Sequence, residues 1–191
     1  PVAAADAHLA DALSALVLDE VRGARTIADI GSGAGFPGLA LAAALPDAQV
    51  DLIEASRRKC EVVERLAREA GLTGARAVPE RTETWAAGPG RAAYELVTAR
   101  AVGSLAILAE YAAPLLSLGG VLIAWKGRRD AEEEAAAAAA SVKLGMERRG
   151  VRRVEPFPGA RDRHLHLLVK HRETPAGFPR RPGRAAKRPL A

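Results

Sequence analysis

The chain has 191 residues, and 28 lysines and arginines against 23 aspartates and glutamates give it a formal charge of +5. Residues 1–169 hold 21 basic and 22 acidic side chains, whereas residues 170–191 hold seven basic and one acidic, so the basic excess lies entirely at the C-terminal end. A hydrophobic content of 49% excludes disorder of the whole chain and suffices for one substantial core. The single cysteine, Cys60, excludes an internal disulfide and a thiolate zinc cluster, which fits a reducing compartment.

No stretch approaches the roughly 20 apolar residues that cross a bilayer. The N-terminus also lacks the charged-then-apolar pattern of a secretion signal. We therefore expect a soluble cytoplasmic protein that does not contact a membrane, and we expect it to be a monomer. Pro1 opens the chain inside an apparent helix, which predicts a missing upstream segment.

The first part of the chain alternates between helical and strand patterns. Apolar residues at i, i+3 and i+4 spacing indicate helices, and short apolar runs bounded by turn residues indicate strands. In chain order we predict a helix, a strand, a helix, a strand and a helix over residues 5–21, 26–30, 38–45, 49–53 and 57–70.

The alternation continues in the second part. We predict strands over residues 75–78, 94–98, 121–125, 151–154 and 164–169, and helices over residues 104–116 and 129–144. Strands separated by helices imply crossover connections and a parallel sheet. No helix separates the last two strands, so they should pair at an antiparallel edge. The prediction is a Rossmann-like α/β fold: a mostly parallel seven-stranded sheet with helices on both faces and an antiparallel edge strand.

Three regions follow from these patterns: an N-terminal helix over 1–22, a cofactor-binding domain over 23–171, and a basic, proline-rich tail over 172–191. Periodicity stops after about His171, and four prolines stand among the basic residues that follow. This composition argues against a core-forming element in the tail.

The strongest local signal is the loop DIGSGAGFPG at residues 29–38, which follows the first strand. Doubly wound folds bind ligands at this edge of the sheet. A nucleoside-triphosphate loop needs Gly-Lys-Ser/Thr, which is absent. A dinucleotide fingerprint needs its third glycine where Phe36 stands, and a phenylalanine there would crowd a pyrophosphate.

The acidic-x-Gly-x-Gly-x-Gly pattern, with Glu54 at the end of the second strand, resembles that of S-adenosylmethionine-dependent methyltransferases. The backbone near Gly31 and Gly33 would lie against the methionine part of the cofactor. Glu54 would accept hydrogen bonds from the ribose hydroxyls. A glycine turn without a ligand is the alternative interpretation.

Several segments together resemble the RsmG (GidB) family: GSGAGFPG, LIEASRRKC, VTARAV, WKG, and C-terminal TP, FPRRPG and KRPL. They occur in order between His8 and Leu190. The resemblance implies a class I methyltransferase fold and methylation of N7 of a guanine in 16S rRNA of the small ribosomal subunit. Members of the family usually carry further N-terminal helices before a motif like residues 8–13, where this chain begins.

Guanine N7 carries a free lone pair, so its methylation requires alignment and electrostatic support rather than a general base. Arg100 and Lys126 are the candidate substrate-positioning residues. Each stands at the carboxyl end of a predicted strand, Arg100 at the fourth and Lys126 at the fifth. Arg100 could donate to guanine O6 or to a phosphate; the alternative is a surface ion pair, for example with Glu83. Lys126 could bind phosphate or polarise the guanine, or simply extend to solvent from a strand end. No acid-Pro-Pro-aromatic motif is present, which disfavours methylation of an amino group.

The predicted site residues fall into two groups. The cofactor group, with Thr82, Glu83 and Arg100 included by resemblance, comprises Gly31, Ser32, Gly33, Phe36, Glu54, Ala55, Ser56, Thr82, Glu83 and Arg100. The RNA-binding group comprises Arg81, Lys126, Arg180, Arg181, Arg184, Lys187 and Arg188. For the tail, a solvated terminus is the alternative.

Other reactive residue types carry no predicted role. Cys60 lies in an amphipathic helix and is expected to pack. His164 and His166 alternate on a strand without a third ligand nearby in sequence, so we predict no metal site. The alternative functions are methylation of a small molecule or a protein, and RNA binding without catalysis.

Overall fold

The computed structural model describes residues 2–191 and places a seven-stranded sheet at their centre. In chain order the strands are β1 (Thr26–Ile30), β2 (Gln49–Ile53), β3 (Ala75–Val78), β4 (Tyr94–Arg100), β5 (Leu116–Lys126), β6 (Met146–Arg153) and β7 (His164–Lys170). Their spatial order is β3-β2-β1-β4-β5-β7-β6. The first five strands pair in parallel, whereas β7 is antiparallel to both β5 and β6. The predicted fold class is confirmed.

The helices, in chain order, are α1 (Val2–Leu13), α2 (Asp19–Arg22), α3 (Gly38–Ala44), α4 (Arg57–Glu69), α5 (Thr82–Ala86), α6 (Leu105–Ala112), α7 (Ala131–Leu144) and α8 (Arg184–Lys187). The single helix predicted over 5–21 is instead α1, a 3-10 turn and α2, because Leu18 adopts an extended conformation. Pro1, on which the expectation of a missing upstream segment rests, lies outside the described residues. None of the described helices combines the length and apolar composition needed to span a membrane.

Two apolar clusters cover the two faces of the sheet. Along β5, Val121 and Ile123 belong to one cluster, and Leu122 and Ala124 belong to the other. Since successive strand residues point to opposite faces, the clusters lie on opposite sides of the sheet. Residues of α3 and α4 join the first cluster and residues of α6 and α7 the second. This arrangement leaves the carboxyl ends of β1, β2 and β4 free to carry polar residues.

The residues after β7 pack against the domain. Thr174 is buried and its hydroxyl donates to the carbonyl of Ala113 at 2.8 Å. Ala185, on α8, is also buried, and Phe178 packs against the second apolar cluster. The expectation that this segment holds no core-forming element is therefore wrong. Its anchors are isolated residues that meet distant partners, which a periodicity argument does not detect.

Candidate functional site

The glycine loop between β1 and α3 exposes backbone at the carboxyl edge of the sheet. Gly31 has φ +64°, and a Cβ there would lie 2.7 Å from Val102 Cγ2, so a side chain is excluded. Gly33 has φ +57°, and the nearest atom to a Cβ built on it is 3.8 Å away. The loop thus offers open main chain to a ligand at Gly33. The neighbouring Ser32 is buried, and within residues 2–191 no group hydrogen-bonds its Oγ.

Glu54 follows β2 and turns its carboxylate toward this loop. The carboxylate accepts the N–H of Gly33 at 3.2 Å and the N–H of Ser56 at 2.9 Å. Its side chain is 12% exposed, and Lys59 Nζ lies 3.7 Å away. A carboxylate has about four acceptor positions, so two remain for a ligand. Two backbone hydrogen bonds therefore fix the Glu54 carboxylate and leave it able to accept further hydrogen bonds.

Cys60, on α4, contacts the backbone of Glu54. Its thiol is buried and donates to the carbonyl oxygen of Glu54 at 3.2 Å. Burial raises the pKa of the thiol, with the nearby acids adding to the effect, so Cys60 stays protonated and packs, as predicted.

Asp29, at the head of the glycine motif, lies fully buried beneath the loop. Its carboxyl group accepts the Thr98 hydroxyl at 2.9 Å and the N–H of Gly38 at 3.0 Å. Burial raises its pKa to about 7. Asp29 therefore ties β1 to β4 and to the start of α3. The sequence marks it only as the acid of the motif, with no role of its own.

These residues fit S-adenosylmethionine. An open glycine backbone suits the close approach of the methionine part, and the unused acceptor positions of Glu54 suit a ribose diol. The buried Ser32 hydroxyl is a polar atom without a partner in the described chain, and such an atom beside an open glycine loop suits a ligand-binding role.

The other predicted cofactor residues are less simply arranged. Thr82 begins α5, and residues 79–81 separate it from β3. Glu83 is 8% exposed, and its Oε1 accepts the N–H of Gly183 at 2.7 Å. One oxygen of the Glu83 carboxylate is thus bonded to the C-terminal segment. Ala55 is exposed between β2 and α4.

A cavity of about 480 Å³ lies farther along the same sheet edge, at the ends of β4 and β5. Its walls come from α1, from these strand ends and from the loop before β7, and include His8, Asp11, Arg100, Lys126, Phe157 and Arg163. Cavities of this size are typical of small-ligand sites. The two predicted substrate-positioning residues, Arg100 and Lys126, are therefore brought together in one wall.

Arg100 connects the cavity with the glycine loop. Its guanidinium donates to Asp11 Oδ2 at 3.0 Å and lies 5.6 Å from the centre of the Phe36 ring. The ion pair that the sequence suggested with Glu83 is instead made with Asp11. Stacking on Phe36 places a positive charge between the two parts of the edge.

Lys126 has a fixed partner at the cavity wall. Its Nζ lies 2.7 Å from Glu133 Oε1 and donates to the carbonyl of Gly103 at 3.3 Å. Only 22% of its side chain is exposed. The same Glu133 oxygen accepts the N–H of Leu105, at the start of α6. Lys126 is thus held in place, and its charge is partly balanced.

The predicted RNA-binding cations fall into two kinds in the structure, those bound to an acidic residue and those exposed to solvent. Arg180 is bound to the buried Glu110 through two hydrogen bonds, one of them 2.6 Å long. It is committed to holding the C-terminal segment, and we do not carry it forward as an RNA ligand. The remaining members outside the cavity are exposed, and they are Arg81, Arg181, Arg184, Lys187 and Arg188.

Asp11 is the site residue that the sequence did not single out. Leu9 and Leu13 mark α1 as a helix, but Leu9 is 42% exposed, and the buried residues beside Asp11 are Ala12 on α1 and Ala15 in the 3-10 turn that follows. The available signal was an acid next to small residues, which is too weak to distinguish a site from a solvated turn. As for metals, the described residues contain no cluster of three potential ligands.

A family model described as GidB, rRNA small subunit methyltransferase G, matches residues 3–165. The Ribosomal RNA small subunit methyltransferase G of Rubrobacter xylanophilus is 39% identical over 187 residues, which cover 96% of this chain and 72% of the relative. The protein of the same name from Chloroflexus aggregans is 44% identical over 186 residues, covering 96% and 76%.

Solved structures agree with this fold. The mitomycin 7-O-methyltransferase MmcR has a TM-score of 0.69 at 17% identity, covering 85% of this chain and 53% of that one. TrmN from Thermus thermophilus has a TM-score of 0.65 at 20% identity, covering 83% and 48%. This chain spans about half the length of each, and at these identities the likeness concerns the fold alone.

Proposed function

The chain belongs to the GidB family, rRNA small subunit methyltransferase G, and from this premise we propose that it transfers a methyl group from S-adenosylmethionine to N7 of a guanine in 16S rRNA. The observation that carries the proposal is the Glu54 carboxylate, fixed beside the open glycine loop on the edge that also holds the Arg100 and Lys126 cavity. A cofactor site and a substrate cavity thus share one edge of the sheet.

Bound S-adenosylmethionine supplies an electrophilic methyl group on a sulfonium. Glu54 would accept the ribose hydroxyls, and the backbone of Gly31 and Gly33 would flank the methionine part. The remaining residues proposed to contact the cofactor are Ser32, Phe36, Ala55, Ser56, Thr82, Glu83 and Arg100.

The residues around the cavity align the target base. N7 attacks with its own lone pair, so no side chain has to remove a proton. Donors therefore have to approach O6 and leave N7 free. Arg100 and Lys126 are suited to this, because both are held by carboxylates and need little reorganisation when a base arrives.

The exposed cations Arg81, Arg181, Arg184, Lys187 and Arg188 are proposed to bind RNA phosphates. Arginine pairs with phosphate through two parallel hydrogen bonds. The contact between Gly183 and Glu83 places the C-terminal segment beside α5. Phosphate contacts can position RNA on the enzyme, but they do not select a base.

We further propose that the enzyme acts in the cytoplasm, as a monomer and without a metal. One chain supplies the glycine loop, Glu54 and the residues lining the cavity.

The experiment is transfer of labelled methyl groups to naked 16S rRNA and to small ribosomal subunits, followed by nuclease digestion and mass spectrometry. The expected product is 7-methylguanosine at one position. A folded protein that binds S-adenosylmethionine but labels neither RNA would refute the proposal. Labelling of a protein or a small molecule instead would assign the enzyme to a different substrate class.

A further inference from the structure

Asp11 is the one carboxylate among the described residues that line the cavity, and three cationic side chains, Arg100, Lys126 and Arg163, line the same cavity. Its main chain is anchored, since its carbonyl accepts the Trp125 indole N–H at 2.9 Å. Its Oδ2 accepts the guanidinium of Arg100 at 3.0 Å. The carboxylate is therefore held at a fixed position in the wall.

The second oxygen of Asp11 is left unsatisfied. Oδ1 is buried, and none of the groups in residues 2–191 hydrogen-bonds to it. Arg163 Nε lies 3.6 Å from Oδ1, which is too far for a hydrogen bond. A buried carboxylate oxygen without a donor is unfavourable and calls for a functional explanation.

Arg163 covers this oxygen without being fixed there. Its side chain is 43% exposed, and its hydrogen bond to the Arg161 carbonyl is a local one at 3.2 Å. A displacement of this side chain toward solvent would leave the Arg100 bond to Oδ2 in place. The wall would then present Oδ1, together with the second lone pair of Oδ2, to a molecule in the cavity.

The Watson–Crick edge of guanine matches this acceptor. Its N1–H and N2–H groups form two parallel donors, the same pattern that an arginine guanidinium presents to a carboxylate. Adenine presents an acceptor at N1, so it would repel the carboxylate. The methylated atom N7, and O6, which Arg100 and Lys126 would contact, lie away from N2.

We propose that Asp11 selects guanine by accepting the N1–H and N2–H groups of the target base, in the place that Arg163 covers in this structure. The inference rests on the proposed function and deepens it. Asp11 would thus recognise the side of the base opposite to the methylated nitrogen. Arg100 and Lys126 are left to contact O6.

The test compares guanosine with inosine at the methylated position of 16S rRNA assembled by ligation, once mass spectrometry has located that position. Inosine keeps N7, O6 and N1–H but lacks the N2 amine. For the wild-type enzyme we expect kcat/KM to fall about tenfold on inosine RNA, as for loss of one hydrogen bond to a charged acceptor. For Asp11→Asn we expect a similar loss on guanosine RNA and a guanosine-to-inosine ratio close to one.

The matched control is Asp19→Asn, which alters an exposed aspartate paired with Arg22 on α2 and should behave as wild type. Cofactor affinity and thermal unfolding of Asp11→Asn check that the variant is folded. If Asp11 serves only to hold Arg100, the variant slows both RNAs equally and the ratio persists, which overturns the inference. Equal rates of the wild-type enzyme on both RNAs overturn it without any variant. Absence of methylation altogether overturns the proposed function as well.

Discussion

Asp29 is expected to make the stability of the folded protein depend on pH. The carboxyl group is fully buried, and burial raises its pKa from the ordinary 3.8 to about 7. Hydrogen bonds from Thr98 and Gly38 and the positive charge of Arg100 oppose the shift but do not cancel it. Folding therefore favours the protonated form of Asp29.

The size and the sign follow from linkage. A rise from 3.8 to about 7, at about 1.4 kcal/mol per pH unit, corresponds to about 4 kcal/mol. Because the pKa is raised on folding, this stability is present below pH 4 and is lost as the pH rises toward 7. Between pH 5 and pH 8 the loss amounts to roughly 2–3 kcal/mol.

Asp29→Asn removes the ionisation while keeping the shape. The amide carbonyl can accept the N–H of Gly38, and the amide nitrogen can donate to the Thr98 hydroxyl, as a protonated carboxyl would. Relative to wild type, the variant should gain about 2–3 kcal/mol of unfolding free energy between pH 5 and pH 8. Urea unfolding at intervals of one pH unit measures this difference. Asp47→Asn, an exposed aspartate, is the control. If the unfolding free energies of wild type and Asp29→Asn run parallel over this range, the reasoning is wrong.

Three further predictions concern other contacts. Glu54→Ala should weaken S-adenosylmethionine binding at least about tenfold in calorimetry, because hydrogen bonds to a charged group contribute about 1.5–3 kcal/mol each. The control Glu61→Ala, at an exposed position, should bind the cofactor as wild type does. Equal cofactor affinities of Glu54→Ala and wild type would contradict the ribose role. Glu110→Gln should destabilise the fold by about 3 kcal/mol, since it leaves Arg180 without its buried partner; trypsin should then cleave within residues 172–191 faster, and an unchanged cleavage rate would show that the pair does not hold the segment. Lys126→Ala should lower methyl transfer about tenfold with cofactor affinity nearly unchanged, whereas normal turnover would leave Lys126 a structural role only.

The fold and the cofactor side of the site could be predicted because their signals are local. Alternating apolar segments gave the strands, and the glycine loop and Glu54 stand at the ends of consecutive strands. Parallel pairing of β1 with β2 then brings Glu54 within 3.2 Å of Gly33. The apolar pattern was less reliable for side-chain orientation. On α4, the apolar residues Val62 and Leu66 are 36% and 40% exposed, whereas Cys60, Val63 and Ala67 form the buried face.

By itself, then, the sequence determined the order of the seven strands along the chain and the mostly parallel sheet. Only the tertiary structure decided which distant charges meet. Asp11 pairs with Arg100, 89 residues away, and Arg180 with Glu110, 70 residues away. Hydrophobic periodicity reports that a face is buried, but it carries no information about the partner that buries it. The position of α1 across the sheet edge sets the first pair, and the path of the C-terminal segment over α6 sets the second, because each results from packing of the whole chain.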